Sequence, residues 1–138
     1  MILASEHVLR FSATLAGHAD AAVALRQLLD TRQLEDGPRY NVELAFEEIT
    51  ANIIRHGSPT GEVKVQLEFR DDEIVLTFDD NGVPFDPREQ PTPPVATSIE
   101  NAPIGGLGLV LVRKISTRMD YERTADERNH LTLTIAAR

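Results

Sequence analysis

Apolar positions along the chain change period repeatedly, and each change marks an element. Residues 6 to 15, EHVLRFSATL, alternate loosely through Val8, Leu9, Phe11 and Leu15 and predict a first strand. From Ala19 to Leu34 the spacing becomes helical, with Ala22, Leu25, Leu28 and Leu29 on one stripe among good helix formers. Asp36-Gly37-Pro38 interrupts that pattern. A second helical stripe runs from about Arg39 to His56 through Val42, Ala45, Phe46, Ile49, Ile53 and Ile54, with Gly57 as its C-cap. Ser58-Pro59-Thr60-Gly61 predicts a turn. Glu62 to Arg70 then alternates cleanly, Val63, Val65, Leu67 and Phe69 sharing a face, and Ile74, Leu76 and Phe78 return after Asp71-Asp72. That pattern predicts a hairpin with one covered and one wet face. Six of the eight prolines fall between residues 84 and 103, which excludes helix and central strand and predicts a long loop. Leu107, Val110, Leu111 and Ile115 restore helical spacing. Two strands close the chain near Arg118 to Thr124 and His130 to Ala136, around a turn at residues 126–129.

Composition narrows the picture. At 138 residues the chain predicts one domain, with no internal repeat or boundary. The absence of cysteine excludes disulfides, thiolate metal sites and a cysteine nucleophile, and fits a reducing cytoplasm. A net charge of −8 disfavours direct contact with duplex nucleic acid. No apolar run approaches the ~20 residues that span a bilayer. The start, MILASEHVLRF, lacks the signal-peptide pattern. The expected location is the cytoplasm.

Three short motifs carry candidate chemistry. Glu48 and Asn52 are four residues apart on the second helix, so their side chains stack about one turn, ~6 Å, along nearly one line at the edge of the apolar stripe. An amide oxygen there can hold a magnesium ion that already carries phosphate oxygens, and a carboxylate one turn away can orient or deprotonate a hydroxyl. Glu47 is the rival carboxylate, about a quarter-turn away. Taken alone, this spacing is so common by chance that the pair reads as solvated helix residues; the two motifs downstream change that reading. Asp80-Asn81-Gly82 ends the return strand, either as a polar turn or as a buried acceptor for an exocyclic amine beside a glycine that admits a flat ring. Gly105-Gly106-Leu107-Gly108-Leu109 opens a helix, as a flexible joint or as a phosphate cradle at a helix N-terminus.

In this order, at this chain length, the motifs resemble the GHKL (Bergerat-fold) ATP-binding superfamily of gyrase, histidine kinases and MutL. The run T-A-N-I-I-R-H-G after Glu48 is similar to that of the anti-sigma-factor serine/threonine kinases of bacterial sporulation and stress control. The resemblance implies an α/β, two-layer α+β sandwich: a mixed, largely antiparallel sheet covered on one face by about three helices, with a proline-rich lid at about 86–104. It implies ATP and Mg2+ as cofactors. Asn52 would ligate the metal, and Glu48 would be the catalytic carboxylate. Asp80 and Gly82 would read the adenine, and Gly105, Gly106, Leu107, Gly108 and Leu109 would hold the nucleotide. His56 falls where the family often has histidine and reads as structural. The implied activity is phosphorylation of an anti-anti-sigma (STAS-type) antagonist by a homodimer that also holds a sigma factor. The alternative is a non-catalytic ATP-binding switch of the same fold. A detached histidine-kinase catalytic domain fits less well, because no phosphoacceptor or dimerisation helix accompanies the motifs. Two positions depart from the superfamily pattern: Pro84 replaces a second glycine after Gly82, and Asn129 stands near a usual threonine, with Thr132 as its possible substitute.

Overall fold

The computed structural model describes residues 5–57, 59–90 and 107–138. Five strands form one sheet: β1 (Ser5–Ser12), β2 (Glu62–Phe69), β3 (Glu73–Asp80), β4 (Ser116–Arg123) and β5 (Asn129–Ala136). Their order is β1-β2-β3-β5-β4, and all four pairings are antiparallel. Three helices complete the described fold: α1 (Leu15–Asp30), α2 (Asp36–Asn52) and α3 (Leu107–Ile115).

Side-chain alternation decides which face is covered. Val63, Val65 and Leu67 on β2, Ile74, Leu76 and Phe78 on β3, and Leu131, Leu133 and Ile135 on β5 are buried. Leu25 and Leu29 of α1, Val42, Phe46 and Ile49 of α2, and Leu109 and Val112 of α3 pack into the same core. The alternate positions, such as Lys64, Thr77, Asp79 and Thr132, lie on the opposite, half-exposed face. The expected two-layer sandwich is therefore present.

Element ends differ from the periodic reading in physically simple ways. Helix α1 begins at Leu15, earlier than Ala19, because the Thr14 hydroxyl accepts the Gly17 N–H at 3.0 Å and caps it. Asp36-Gly37-Pro38 forms the first turn of α2, where a proline costs no hydrogen bond and Asp36 faces the positive helix end. The same helix ends in a π-helical turn, Ile53–Gly57. Such a turn widens the backbone by one residue and often marks a site. Here it delivers the Gly57 carbonyl to the Val83 N–H, at 2.8 Å, just beyond the end of β3.

That junction has no room for a side chain on Gly82. A Cβ there would lie 2.5 Å from Gly57 O and 2.9 Å from Asp80 Oδ1. The backbone oxygen cannot step aside cheaply, so Gly82→Ala is expected to cost about 1–3 kcal/mol of stability, in the range of overpacked cores. Chemical denaturation of the variant checks this, and an unchanged midpoint would show that the junction yields.

Candidate functional site

The α2 end, the π turn, the end of β3, the later part of β4 and the start of β5 border a narrow cleft with a free cavity volume of about 30 Å³. Asn52, Ile53 and Gly57 line one side, and Asp80, Tyr121 and Asn129 line the other. Phe78 and Leu131 form part of the apolar lining and Phe85 and Pro87 contribute from the segment after β3. Its lining is mostly apolar with a few polar groups among it, the character of a small-molecule site.

Asp80 ends β3 on the core side and is 3% exposed. Its Oδ1 accepts the Gly82 N–H at 2.8 Å and the Asn129 side-chain N–H at 3.1 Å. Among the described residues Oδ2 has no partner, so it is the acceptor left for a ligand. Burial pushes the Asp80 carboxyl above the ordinary carboxylate range, and the Asn129 and Gly82 donors oppose that rise. The preceding Asp79 points to the other face of the sheet, where it pairs with Arg128 and His130.

Asn52 is 8% exposed and lines the cleft wall across from Asp80. A largely buried amide at a cleft wall fits a ligand role. Among the described residues no group of three or more His, Cys, Asp and Glu is placed to hold a metal ion. A magnesium ion at Asn52 would therefore take most of its oxygen ligands from phosphate and water, as that ion commonly does.

Glu48 lies one turn earlier, half-buried, against the start of α3. A Cβ on Gly108 would come within 2.0 Å of Glu48 Oε2. The glycine of the third motif thus makes room for the carboxylate of the first. Glu47 is turned away: its side chain is 58% exposed and faces His18 at 3.2 Å. Helical geometry thus separates the two carboxylates as the spacing predicts. Leu107 is exposed and Leu109 is buried in the core, so Leu109 supports α3 through packing. Gly105, Gly106 and all but the first residues of the expected lid lie outside the described residues. The lid's start is anchored, since Arg113 of α3 donates to the Gln90 carbonyl at 2.8 Å.

His56 is exposed and its ring stacks on Phe85 at 5.8 Å between centroids, which supports the cleft wall. Thr132 is on the open face of the sheet and cannot substitute for the usual threonine; Asn129 occupies the buried position instead. Sequence reasoning missed Tyr121 and Phe85. An inward tyrosine at alternate spacing with Met119 was the available signal for the first.

A cleft under a helical layer, with a buried carboxylate at a strand end and an amide on the facing helix, is the arrangement of a histidine-kinase-like ATPase domain. The family model described as a histidine kinase-like ATPase domain matches residues 11–135, and the chain belongs to that family. Within it, the chain is 33% identical over 129 residues to the serine/threonine-protein kinase BtrW of Bordetella bronchiseptica, covering 91% of this chain and 90% of that one. The fold is also similar to that in the structure of the RsbU and RsbW domains of Rv1364c from Mycobacterium tuberculosis. There the TM-score is 0.67 at 16% identity, over 97% of this chain and 33% of the larger one. In the SiaB–SiaC complex from Pseudomonas aeruginosa the matched chain gives 0.59 at 16% identity, over 94% of this chain and 89% of that chain. Among the described residues no helix is long and apolar enough to cross a membrane.

Proposed function

We propose that the chain is a Mg-ATP-dependent serine/threonine protein kinase that acts as an anti-sigma factor and phosphorylates a STAS-type antagonist protein. The observation that carries this reading is the cleft itself, where the Asp80 carboxylate and the Asn52 amide line one largely apolar slot. The kinase relative, matched over nine-tenths of both chains, supports the reaction class. The protein works in the cytoplasm as a homodimer, without direct contact to nucleic acid.

Asp80 Oδ2 accepts the exocyclic amine of adenine, and the apolar walls hold the ring. Asn52 would hold a magnesium ion, whose charge would offset that of the phosphates. Glu48 orients the attacking serine or threonine hydroxyl. The hydroxyl oxygen bonds to the γ-phosphorus, the bond from that phosphorus to the bridging oxygen breaks, and ADP leaves. Glu48 or water takes the hydroxyl proton. Positioning and charge neutralisation supply most of the catalysis in such transfers.

The test is calorimetry of Mg-ATP binding, followed by γ-labelled ATP with candidate STAS proteins. Binding and labelling support the kinase. Binding without transfer to any candidate supports the switch. No binding of ATP or ADP at millimolar concentration would leave a nucleotide-independent partner-binding domain. A finer expectation concerns Gly108→Ala, whose methyl group would displace the Glu48 carboxylate. Transfer should fall about tenfold or more, as for a misplaced catalytic group, and by more than ATP affinity falls, since Gly108 also belongs to the expected nucleotide cradle. Equal losses in both would remove Glu48 from the transfer step.

A further inference from the structure

The polar groups around Asp80 form a network that admits one arrangement. Asn129, 6% exposed, donates from Nδ2 to Asp80 Oδ1 at 3.1 Å and to the Val83 carbonyl at 2.8 Å. Its Oδ1 accepts from the Tyr121 hydroxyl, and at 3.4 Å from the Phe85 N–H and from Arg123 Nη1. Every neighbour of Nδ2 is an acceptor and every neighbour of Oδ1 is a donor. A flipped amide would set its oxygen against the carboxylate and its N–H groups against donors, so the orientation is determined. Arg123 also donates to the Gly82 carbonyl at 2.8 Å, tying β4 to the same turn.

We propose that Asn129, oriented by Tyr121, is a positioning residue that fixes the direction in which Asp80 presents its free acceptor to the base, and thereby sharpens the site's preference for adenine over guanine. The inference rests on the nucleotide-binding reading. With Oδ1 occupied by Gly82 and Asn129, the one remaining acceptor is Oδ2. An adenine amine pairs with it. A guanine carbonyl would face it oxygen to oxygen, and a site built on a buried directional acceptor rejects such a mismatch strongly. Without the Asn129 amide the carboxylate can turn about its broad terminal torsion, and neither oxygen is held in the plane and direction that the base requires. The threonine usual in the superfamily offers one hydroxyl; the amide adds a second end, and Tyr121 grips it.

Asn129 also acts on charge. Its donor opposes the burial that raises the Asp80 carboxyl. Asp79 pushes the same way as burial and Arg128 pushes against it. Arg123 and Tyr121 approach from β4, Asp86 follows in the next segment, and the helical side brings Asn52, Gly57 and, at the rim, His56.

The experiment uses Asn129→Ala, Asn129→Thr and Tyr121→Phe, each checked for fold by circular dichroism. Asp80 is titrated by its side-chain carboxyl carbon resonance in the nucleotide-free protein, and ATP and GTP affinities are measured by calorimetry. In Asn129→Ala the Asp80 midpoint should move up. The ATP-over-GTP ratio should fall about tenfold or more, the worth of a hydrogen bond to a charged group. Asn129→Thr should restore much of both, and Tyr121→Phe should shift both in the same direction by less. A residue that merely held the fold together would weaken ATP and GTP alike and leave the Asp80 midpoint in place. That result, with ATP binding by the wild type intact, overturns the assignment of Asn129 alone. A wild type that binds neither nucleotide overturns the base preference together with the kinase reading.

Discussion

Asn52→Ala protein should fold as the wild type does and transfer no measurable phosphate from ATP. The two halves of that expectation have one cause. The Asn52 amide lies at the cleft wall, outside the apolar core cluster, so truncating it leaves the packing of α2 on the sheet in place. Removing one such side chain changes stability by about 1 kcal/mol, the net worth of a typical hydrogen bond. The same amide is the protein's contact to the magnesium-bound phosphates in the proposed reaction. Loss of a fixed group that neutralises charge in phosphoryl transfer lowers the rate by about a thousandfold, the upper range for removing one such group. Denaturation curves and a γ-phosphate transfer assay check both halves. Undiminished transfer would take Asn52 out of the site, and an unfolded variant would show that its role is structural.

The second large effect is expected at Asp80→Asn, where stability and binding should part company. The substitution is nearly isosteric, and its carbonyl oxygen can keep the bonds from Gly82 and Asn129. At the Oδ2 position it places N–H donors, which meet the adenine amine donor to donor. ATP affinity should fall about a hundredfold or more, in line with sites that read a buried hydrogen-bonding group. Stability should hold or rise. Burial raises the Asp80 pKa, so the folded chain binds that proton more tightly than the unfolded chain does. The resulting stabilisation is full below the ordinary carboxylate value and is lost as pH rises through the raised value. At neutral pH an ionised Asp80 is therefore a burden on the fold that the neutral amide removes. Nucleotide binding has the opposite dependence, because a protonated Asp80 no longer offers a free acceptor. ATP affinity of the wild type should weaken as pH falls through the raised value, while Asp80→Asn should lose that dependence. A variant that is less stable than the wild type and still binds ATP would contradict both arguments.

Much of this site was legible because helices and strands turn spacing into direction. Four residues on a helix bring Glu48 and Asn52 to one line, and α2 places the first at Gly108 and the second in the cleft. Strand alternation put Asp80 on the same face as Phe78 and so in the core. What the pattern could not give was whatever depends on register between strands distant in sequence. Asn129 read as part of a turn, yet it starts β5 opposite Asp80, and only that pairing shows it as the carboxylate's partner. Tyr121 needed the β4–β5 register in addition. The early start of α1 was signalled by Thr14 and Gly17 and passed over because Ser12 to Leu15 also continues a strand pattern. A one-residue widening of a helix leaves no trace in hydrophobic period, which is why Ile53 to Gly57 read as ordinary helix.

That widening ties together two parts of the chain by count of residues. The Gly57 carbonyl reaches the Val83 N–H from its place as the fifth residue after Asn52, at the end of the π turn, and the Gly82 backbone closes against the same carbonyl. Side chains such as exposed Arg55 are free to vary there. Adding or deleting a single residue between 52 and 57 is a different matter, since it would swing Gly57 round the helix axis by about 100° and unseat the strand end that carries Asp80. Among relatives that keep this cleft, the turn should drift in composition and hold its length.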